Sequence, residues 1–199
     1  MSDTANRNRA PVDIWYWGVA LSLALAAALP ADLLQWSRPA LAEGELWRSI
    51  TGHWTHLNLT HLGLNLGGLT VVALLYPQTG HRLAASLALL MIALVVSAGL
   101  YWLTPELVWY RGFSGCLHGL VVYGSVLRIT ETPVWSLAIL TLVAAKLFLE
   151  HVGGATPGVS AAIGGPVIVS AHQLGAAGGL LAGATALGYH RVTSTPPNS

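Results

Sequence analysis

The segment WYRGFSGCLHGL, residues 109–120, places a serine between two glycines at the beginning of an apolar run. The run continues as GLVVYGSVL, so Ser114 lies at the edge of a hydrophobic segment. His118 follows Ser114 by four residues, which puts both side chains on one face of a helix. Taken alone, a Gly-x-Ser-Gly is better explained by a serine that caps a helix. Whether Ser114 is reactive therefore depends on the rest of the sequence.

The composition predicts an integral membrane protein. Of the 199 residues, 54% are hydrophobic and only 9% are charged, whereas about a quarter of the residues are charged in soluble domains. The net charge of +1 argues against nucleic-acid binding, which needs clustered Lys and Arg. The single cysteine, Cys116, excludes an internal disulfide.

Six apolar runs are long enough, with some tolerance, to cross a bilayer as helices. They cover approximately residues 14–30, 57–76, 83–103, 114–128, 133–150 and 167–188. Backbone groups in lipid must be satisfied within their own segment, so helices are the expected element. The sequence therefore predicts an all-α bundle of six transmembrane helices, without repeats or a second domain.

Six spans put both termini on one side of the membrane, and the arginine distribution favours the cytoplasmic side. With the N-terminus inside, five arginines lie inside and three lie outside. Residues 1–13 and 191–199 are then cytoplasmic, and 14–190 form one catalytic-type domain. The ALA at 40–42 resembles a signal-peptidase site but lies too far beyond Pro30, so the first span is expected to be retained.

Two connections on the predicted outer side differ in character. Residues 31–56 mix charges with Trp and Leu, which predicts an element lying on the membrane surface between spans one and two. Residues 151–166 are rich in Gly and Pro, which predicts a mobile outer loop. We expect aromatic rings near the outer interface at Trp36, Trp47, Trp54, Trp102 and Trp109.

Polar side chains inside the spans are costly, so each is a functional hypothesis. In span two, His61, Asn65 and Gly68 share one helical face, and His56 lies near the start of the span. Ser114 and His118 are on span four, and His172 is on span six. In the chosen orientation these groups lie at similar depths near the outer ends of their helices. This convergence is the main evidence for a site.

Glycines next to these residues predict close helix packing. Gly175 and Gly179 follow His172 on one stripe of span six, and Gly115 and Gly119 flank the serine on span four. Small residues at this spacing let membrane helices approach closely. Spans four and six are therefore expected to bring Ser114 and His172 within hydrogen-bond distance.

A serine becomes a nucleophile when a neighbouring base accepts its proton. Spans two, four and six contain no Asp or Glu, so we predict a Ser114–His172 dyad without an acidic third member. The Ser114 amide, Asn65 and an imidazole of His61 or His56 are candidate donors to an oxyanion. Lys146 and Glu150, one turn apart on span five, are interpreted as a snorkelling lysine with its ion-pair partner. A contact between this pair and the substrate tail is the alternative.

These motifs resemble the rhomboid family of intramembrane serine proteases. WR at 47–48, HLNLTHLGLN at 56–65, GFSG at 112–115 and AHQLGAAGG at 171–179 stand in the family's order. The resemblance implies that Ser114 is the nucleophile and His172 the general base. It also implies that His61 and Asn65, with the Ser114 amide, form the oxyanion site, to which His56 is a further candidate contributor.

Within that family the chain is most similar to the rhombosortases, on the basis of SGCLHG at 114–119 and GELWRSITGHWTH at 44–56. This resemblance implies a bacterial inner-membrane enzyme whose active site faces the periplasm. It also implies substrates that are anchored by a C-terminal GlyGly-CTERM tail, and no cofactor.

Other residues near these motifs are given structural roles. Trp47 and Arg48 are expected to hold the interfacial loop through ring packing and guanidinium hydrogen bonds. Gly112 is given a structural role near the serine. Cys116, two residues past the serine, points elsewhere on the helix and is expected to pack, whereas His53 and His151 are expected to be solvated. For His118, a packing role is favoured over a substrate contact.

Two other functions remain open. An inactive rhomboid-like binding protein is opposed by the intact serine, histidine and asparagine. A carrier of metal or haem through intramembrane histidines is weakly supported, because HEXXH is absent.

Overall fold

The computed structural model describes residues 11–78, 81–156 and 158–194, with the side chains from residue 190 onward left undescribed. This part of the chain is mostly helical. Its helices are α1 (Ile14–Ala26), α2 (Ala31–Leu34), α3 (Arg38–Ala42), α4 (Arg48–Thr51), α5 (Leu59–Leu75), α6 (Arg82–Leu103), α7 (Ser114–Leu127), α8 (Pro133–Gly153), α9 (Val159–Ile163) and α10 (Val169–Ser194). Two short strands are β1 (Trp36–Ser37) and β2 (Trp109–Tyr110).

Each of the six apolar segments identified in the sequence corresponds to one long helix, namely α1, α5, α6, α7, α8 and α10. Within the described ranges, α6 and α8 are the helices that are both long and apolar enough to cross a membrane. The helices α1, α5 and α7 are apolar but shorter. The number of spans and their orientation therefore stay predictions.

Local sequence signals account for several helix starts. The Asp13 side chain accepts a hydrogen bond from the Trp15 amide at the start of α1. The Asn58 side chain does the same for the His61 amide at the start of α5. Both contacts satisfy an amide that has no partner within its helix. The N-cap at Asn58 also places His61 in the first turn of α5.

Helix α7 lies in the middle of the bundle and contacts α5, α6, α8 and α10. Its apolar side chains Cys116, Leu117 and Leu120 are buried in the main core. As expected, Cys116 packs inside the protein. Gly68 of α5 faces Leu117, and a Cβ at this glycine would lie 2.6 Å from the leucine Cδ1. A central position gives α7, which begins at Ser114, neighbours on several sides.

The connection between α1 and α5 is ordered by its own short elements. β1 pairs antiparallel with β2, with Trp36 opposite Tyr110 and Ser37 opposite Trp109. This pairing ties the connection to the segment immediately before Ser114. The prediction of an interfacial element is consistent with this arrangement, although its position at a membrane surface stays a prediction.

Two arginines hold this connection through backbone carbonyls. Arg48 is buried, bonds the carbonyls of Asp32 and Gln35, and pairs with Glu45 at 2.6 Å. Arg38 donates to four carbonyl oxygens around the end of α6, at Leu100, Tyr101, Thr104 and Leu107. A guanidinium has five N–H donors, so it can satisfy several unpaired carbonyls at once. Trp47 has an exposed ring and only a long, 3.4 Å contact to the Leu33 carbonyl.

The prediction that His53 is solvated is wrong. Its side chain is fully buried, and Nε2 lies 3.0 Å from both the Ala93 carbonyl oxygen and Ser97 Oγ of α6. Desolvation lowers the pKa of His53 to about 4, so the imidazole is neutral near pH 7. It therefore fastens the interfacial connection to α6, whereas His151 is exposed as expected.

The outer loop at 151–166 contains more helix than its composition suggests. α8 extends to Gly153, and Val159–Ile163 form α9. Gly158 and Gly164, which flank α9 at its start and its end, have φ values of 82° and 75°. Glycine adopts this left-handed conformation without strain, and at Gly164 it ends the helix. Ile163 is buried, so α9 is anchored to the bundle.

Candidate active site

Ser114 is placed by a sharp change of backbone direction between β2 and α7. Gly112 has a φ of 136°, which favours glycine, and its carbonyl accepts a 2.6 Å hydrogen bond from the Tyr110 hydroxyl. A Cβ at Gly112 would also lie 2.9 Å from Cε1 of His61. The glycine thus serves both the turn and the close approach of α5.

The two residues predicted to react with each other do meet. Ser114 Oγ lies 2.9 Å from Nε2 of His172, although the residues are 58 positions apart in sequence. Ser114 is the first residue of α7, and His172 lies in the first turn of α10. The distance is within the range of a hydroxyl-to-imidazole hydrogen bond.

The glycine stripes are what bring α7 and α10 together. A Cβ at Gly115 would lie 2.7 Å from the Ala171 carbonyl oxygen, and one at Gly119 would lie 2.6 Å from that of Gly175. In the other direction, a Cβ at Gly175 would overlap the Gly115 carbonyl and one at Gly179 the Gly119 carbonyl. The backbones therefore touch without intervening side chains, as small-residue seams permit.

An acid contacts the histidine, contrary to the prediction of a dyad without one. Glu150 Oε2 lies 2.9 Å from Nδ1 of His172, on the ring edge opposite the serine contact. Both side chains are buried. The acid comes from α8, which corresponds to predicted span five. The prediction considered acidic residues in spans two, four and six only, and it therefore missed Glu150.

The second carboxylate oxygen of Glu150 binds the lysine one turn earlier. Lys146 Nζ lies 2.7 Å from Oε1, so the interpretation of this pair as i,i+4 partners agrees with the geometry. Lys146 is partly exposed, whereas Glu150 is turned inward. The carboxylate therefore joins an outward-facing ammonium to the buried imidazole.

His118 packs directly on the candidate base. Its ring stacks on that of His172 with centroids 4.3 Å apart and an interplanar angle of 19°. Its Nδ1 lies 2.8 Å from the Ser114 carbonyl oxygen, which can only accept, so this nitrogen donates. His118 thus limits rotation of the His172 ring from one face, a packing role as favoured.

Two of the three predicted oxyanion residues lie at the site. His61 and Asn65 border the cavity that also contains Ser114 and His172, and the Asn65 amide nitrogen donates to the His61 carbonyl at 3.1 Å. His61 Nδ1 accepts from the Leu57 amide at 3.4 Å, which leaves Nε2 as the N–H donor.

His56 is positioned behind His61 and not among the residues that border the cavity. The two rings meet edge to face, with centroids 5.2 Å apart. Among the described residues, neither ring nitrogen of His56 makes a side-chain hydrogen bond of normal geometry. A support for the His61 ring is therefore its evident contact, in place of the direct oxyanion contact that was a candidate role.

The cavity has a volume of about 230 Å³. Its lining combines the polar groups Ser114, His172, His61 and Asn65 with apolar side chains that include Val159 and Ile163 of α9. Arg111 at the border pairs with Asp32 at 2.6 Å.

The same side chains need to be considered as a metal site. His118, Glu150 and His172 each offer a ligand atom within 4.8 Å of the others. An imidazole lone pair lies in the ring plane, so two nearly parallel, stacked rings do not aim at one point. His172 also has both nitrogens at hydrogen-bond distance from Ser114 and Glu150. The geometry favours a hydrogen-bonded relay over metal ligation.

The sequence predicted Glu150 as the ion-pair partner of Lys146 or as a contact to the substrate tail, and not as a partner of His172. An ionisable residue in an apolar helix is a functional signal in itself. Lys146, four residues earlier, is a sufficient local partner for the carboxylate. Local spacing therefore gives no reason to expect a second partner for Glu150. The contact with His172 depends on how α8 and α10 pack, which local spacing does not specify.

The family model for the Rhomboid domain matches residues 43–189, which is most of the chain and includes Ser114, His172, Glu150, His61 and Asn65. No protein in the curated set matches the chain.

Proposed function

Because the chain belongs to the rhomboid family of intramembrane serine proteases, we propose that it is an endopeptidase whose nucleophile is Ser114 and whose general base is His172. The observation that carries the proposal is the 2.9 Å contact between Ser114 Oγ and His172 Nε2. A catalytically inactive binding protein has no need to hold a hydroxyl and an imidazole in this geometry.

The reaction follows from the atoms at the site. Ser114 Oγ attacks the carbonyl carbon of the scissile bond while its proton passes to Nε2 of His172. The carbonyl oxygen becomes an oxyanion, for which the Ser114 amide, the Asn65 amide and His61 Nε2–H are the available donors. When the C–N bond breaks, His172 returns the proton to the leaving amine. Water, deprotonated by His172, then attacks the acyl carbon, and His172 returns that proton to Ser114 Oγ as the C–Oγ bond breaks.

The substrate class that we propose is a membrane-anchored protein with a C-terminal GlyGly-CTERM tail. It is supported by the similarity of SGCLHG and GELWRSITGHWTH to the rhombosortases. A glycine-rich segment is also physically suited to attack by this serine, since glycine gives the backbone freedom to extend into a narrow cavity. The proposed setting is the bacterial inner membrane, with the site facing the periplasm.

Mass spectrometry of the cleaved product tests the activity and the substrate class together. The purified protein in vesicles is mixed with a reporter that carries a GlyGly-CTERM tail, and the new C-terminus is determined. A matched reporter has alanines in place of the two glycines. We expect cleavage at or next to the glycines and at least about tenfold slower cleavage of the alanine reporter, the scale of a few lost transition-state contacts.

The outcomes separate three functions. Equal cleavage of the two reporters would contradict the substrate class and leave a general rhomboid protease. Binding of either reporter without any cleavage, in a sample that is folded, would favour the inactive binding protein.

A further inference from the structure

The carboxylate of Glu150 lies where the acid of a Ser–His–acid triad would lie. We propose that Glu150 is a positioning residue for His172 and that the working unit consists of Ser114, His172 and Glu150, not of a dyad. This inference rests on the proposed function, because it concerns the base of that same reaction. Glu150 does not touch the reacting atoms and acts through the imidazole.

Glu150 selects the tautomer of His172 that a general base needs. A carboxylate only accepts hydrogen bonds, so the 2.9 Å contact requires the proton on Nδ1 of the neutral ring. The lone pair is then on Nε2, which faces Ser114 Oγ at 2.9 Å. A general base needs this tautomer, since the other one would present an N–H to the serine hydroxyl.

Glu150 also supplies a negative charge beside His172. Proton transfer from Ser114 turns His172 into an imidazolium, and a buried positive charge is costly without an opposite charge nearby. The Glu150 side chain is only 7% exposed, so little water screens its interaction with the ring. The carboxylate therefore stabilises the charge that appears on His172 during the reaction.

The Glu150 carboxylate is itself held in a fixed orientation. Its two oxygens have separate partners, Lys146 Nζ at 2.7 Å and His172 Nδ1 at 2.9 Å. With both oxygens held, the carboxylate stays aligned with the imidazole edge. The His118 ring, stacked at 4.3 Å, restrains His172 from its face. Edge and face contacts together leave His172 one orientation toward Ser114.

The burial of Glu150 is unusual for a residue of α8. Most of α8 is exposed in the described structure, and Ser136 and Glu150 are its buried residues. Burying an acidic side chain of a mostly exposed apolar helix costs free energy unless the carboxylate is paired. The alternative to a positioning role is that Glu150 serves only to dock α8 on α10. The experiment has to separate these two roles.

The test compares Glu150→Gln with the wild-type protein, using the reporter with the GlyGly tail. The amide keeps the size of the side chain but loses its charge and can donate to Nδ1, which favours the wrong tautomer. We expect kcat to fall about 10²–10⁴-fold with KM within about threefold of wild type, as for the acid of other serine triads. We expect Glu150→Asp, which keeps the charge, to recover part of the kcat.

Two controls accompany these variants. Glu131→Gln makes the same chemical change at an exposed position outside the site and is expected to leave kcat and the unfolding temperature unchanged. A docking role alone would lower the unfolding temperature of Glu150→Gln and would not produce recovery of kcat by Glu150→Asp. If Glu150→Gln does not fold, Glu150→Ala takes its place beside Glu150→Asp, and a kcat of Glu150→Ala within about threefold of wild type overturns the inference.

The result for Ser114→Ala keeps this inference distinct from the proposed function. A Glu150→Gln enzyme with kcat within about threefold of wild type, beside an inactive Ser114→Ala, overturns the positioning role and leaves the proteolysis intact. An active Ser114→Ala protein overturns the proposed function itself.

Lys146→Met examines the alternative that the lysine binds the substrate tail. Lys146 is 46% exposed, and ion pairs at exposed positions contribute little. We therefore expect kcat within about tenfold of wild type and an unchanged KM. A KM that rises several-fold for the GlyGly reporter, with kcat unchanged, would instead assign Lys146 to substrate recognition and limit the positioning role to Glu150.

Discussion

Replacement of Ser114 by alanine is expected to abolish both cleavage of the reporter and labelling by a fluorophosphonate probe. The probe forms a bond between phosphorus and Oγ, fluoride leaves, and the hydroxyl proton passes to His172 Nε2, which lies 2.9 Å away. Alanine removes the only atom that can form this bond. Loss of the nucleophile in serine proteases lowers kcat by about 10⁴–10⁶-fold, so the residual rate should be undetectable in an ordinary assay.

A matched variant makes this result specific. Ser86→Ala removes the hydroxyl of an exposed serine in α6 whose contact is with the Trp15 indole. It is expected to retain full labelling and cleavage. Labelling of Ser114→Ala at the wild-type rate, with the site of attachment mapped elsewhere, would contradict the assignment of the nucleophile.

Replacement of Gly175 by alanine is expected to have the next largest effect. The added Cβ would overlap the carbonyl of Gly115, the residue next to Ser114. Because the obstacle is backbone, α10 has to move away from α7, and His172, one turn earlier on α10, moves with it. A displacement of about 1 Å can cost about 10²-fold in rate, and overpacking typically costs about 1–3 kcal/mol of stability.

The control for this substitution lies on the same helix. Gly188 has open space around its Cβ position, so Gly188→Ala is expected to leave the cleavage rate and the unfolding temperature close to wild type. Cleavage rates and unfolding temperatures in one detergent would be compared for the two variants. If Gly175→Ala had the rate and stability of Gly188→Ala, the close approach of α7 and α10 would not be needed for the site.

The relation between Ser114 and His172 could be predicted because several independent signals agree. A polar residue inside an apolar helix is rare enough to indicate function. Ser114 and His172 each lie beside a glycine stripe, and two such stripes can form one helix contact. The 3.6-residue period then determines which side chains share the contacting face. These are properties of single helices, which a linear sequence contains in full.

The partner of His172 on its other edge could not be predicted in the same way. Glu150 has a local partner, Lys146, four residues earlier on the same helix. Its approach to His172 depends on the rotation of α8 against α10. The apolar residues of α8 do not specify that rotation, because the buried residues of this helix are Ser136 and Glu150. The prediction for His53 failed for a related reason, because its burial arises from contacts with α6 and with Tyr110 of β2, whose ring centroid lies 5.5 Å from that of His53.

By itself, the sequence determined the helical character of the apolar segments and predicted which serine and which histidine would meet. Periodicity, hydropathy and residue chemistry act along single segments, so they can be read without coordinates. Only the tertiary structure decided that Glu150 contacts His172, that the His118 ring stacks on His172 and that His56 is positioned behind His61. Each of these depends on the rotation and separation of neighbouring helices, which packing between distant parts of the chain selects.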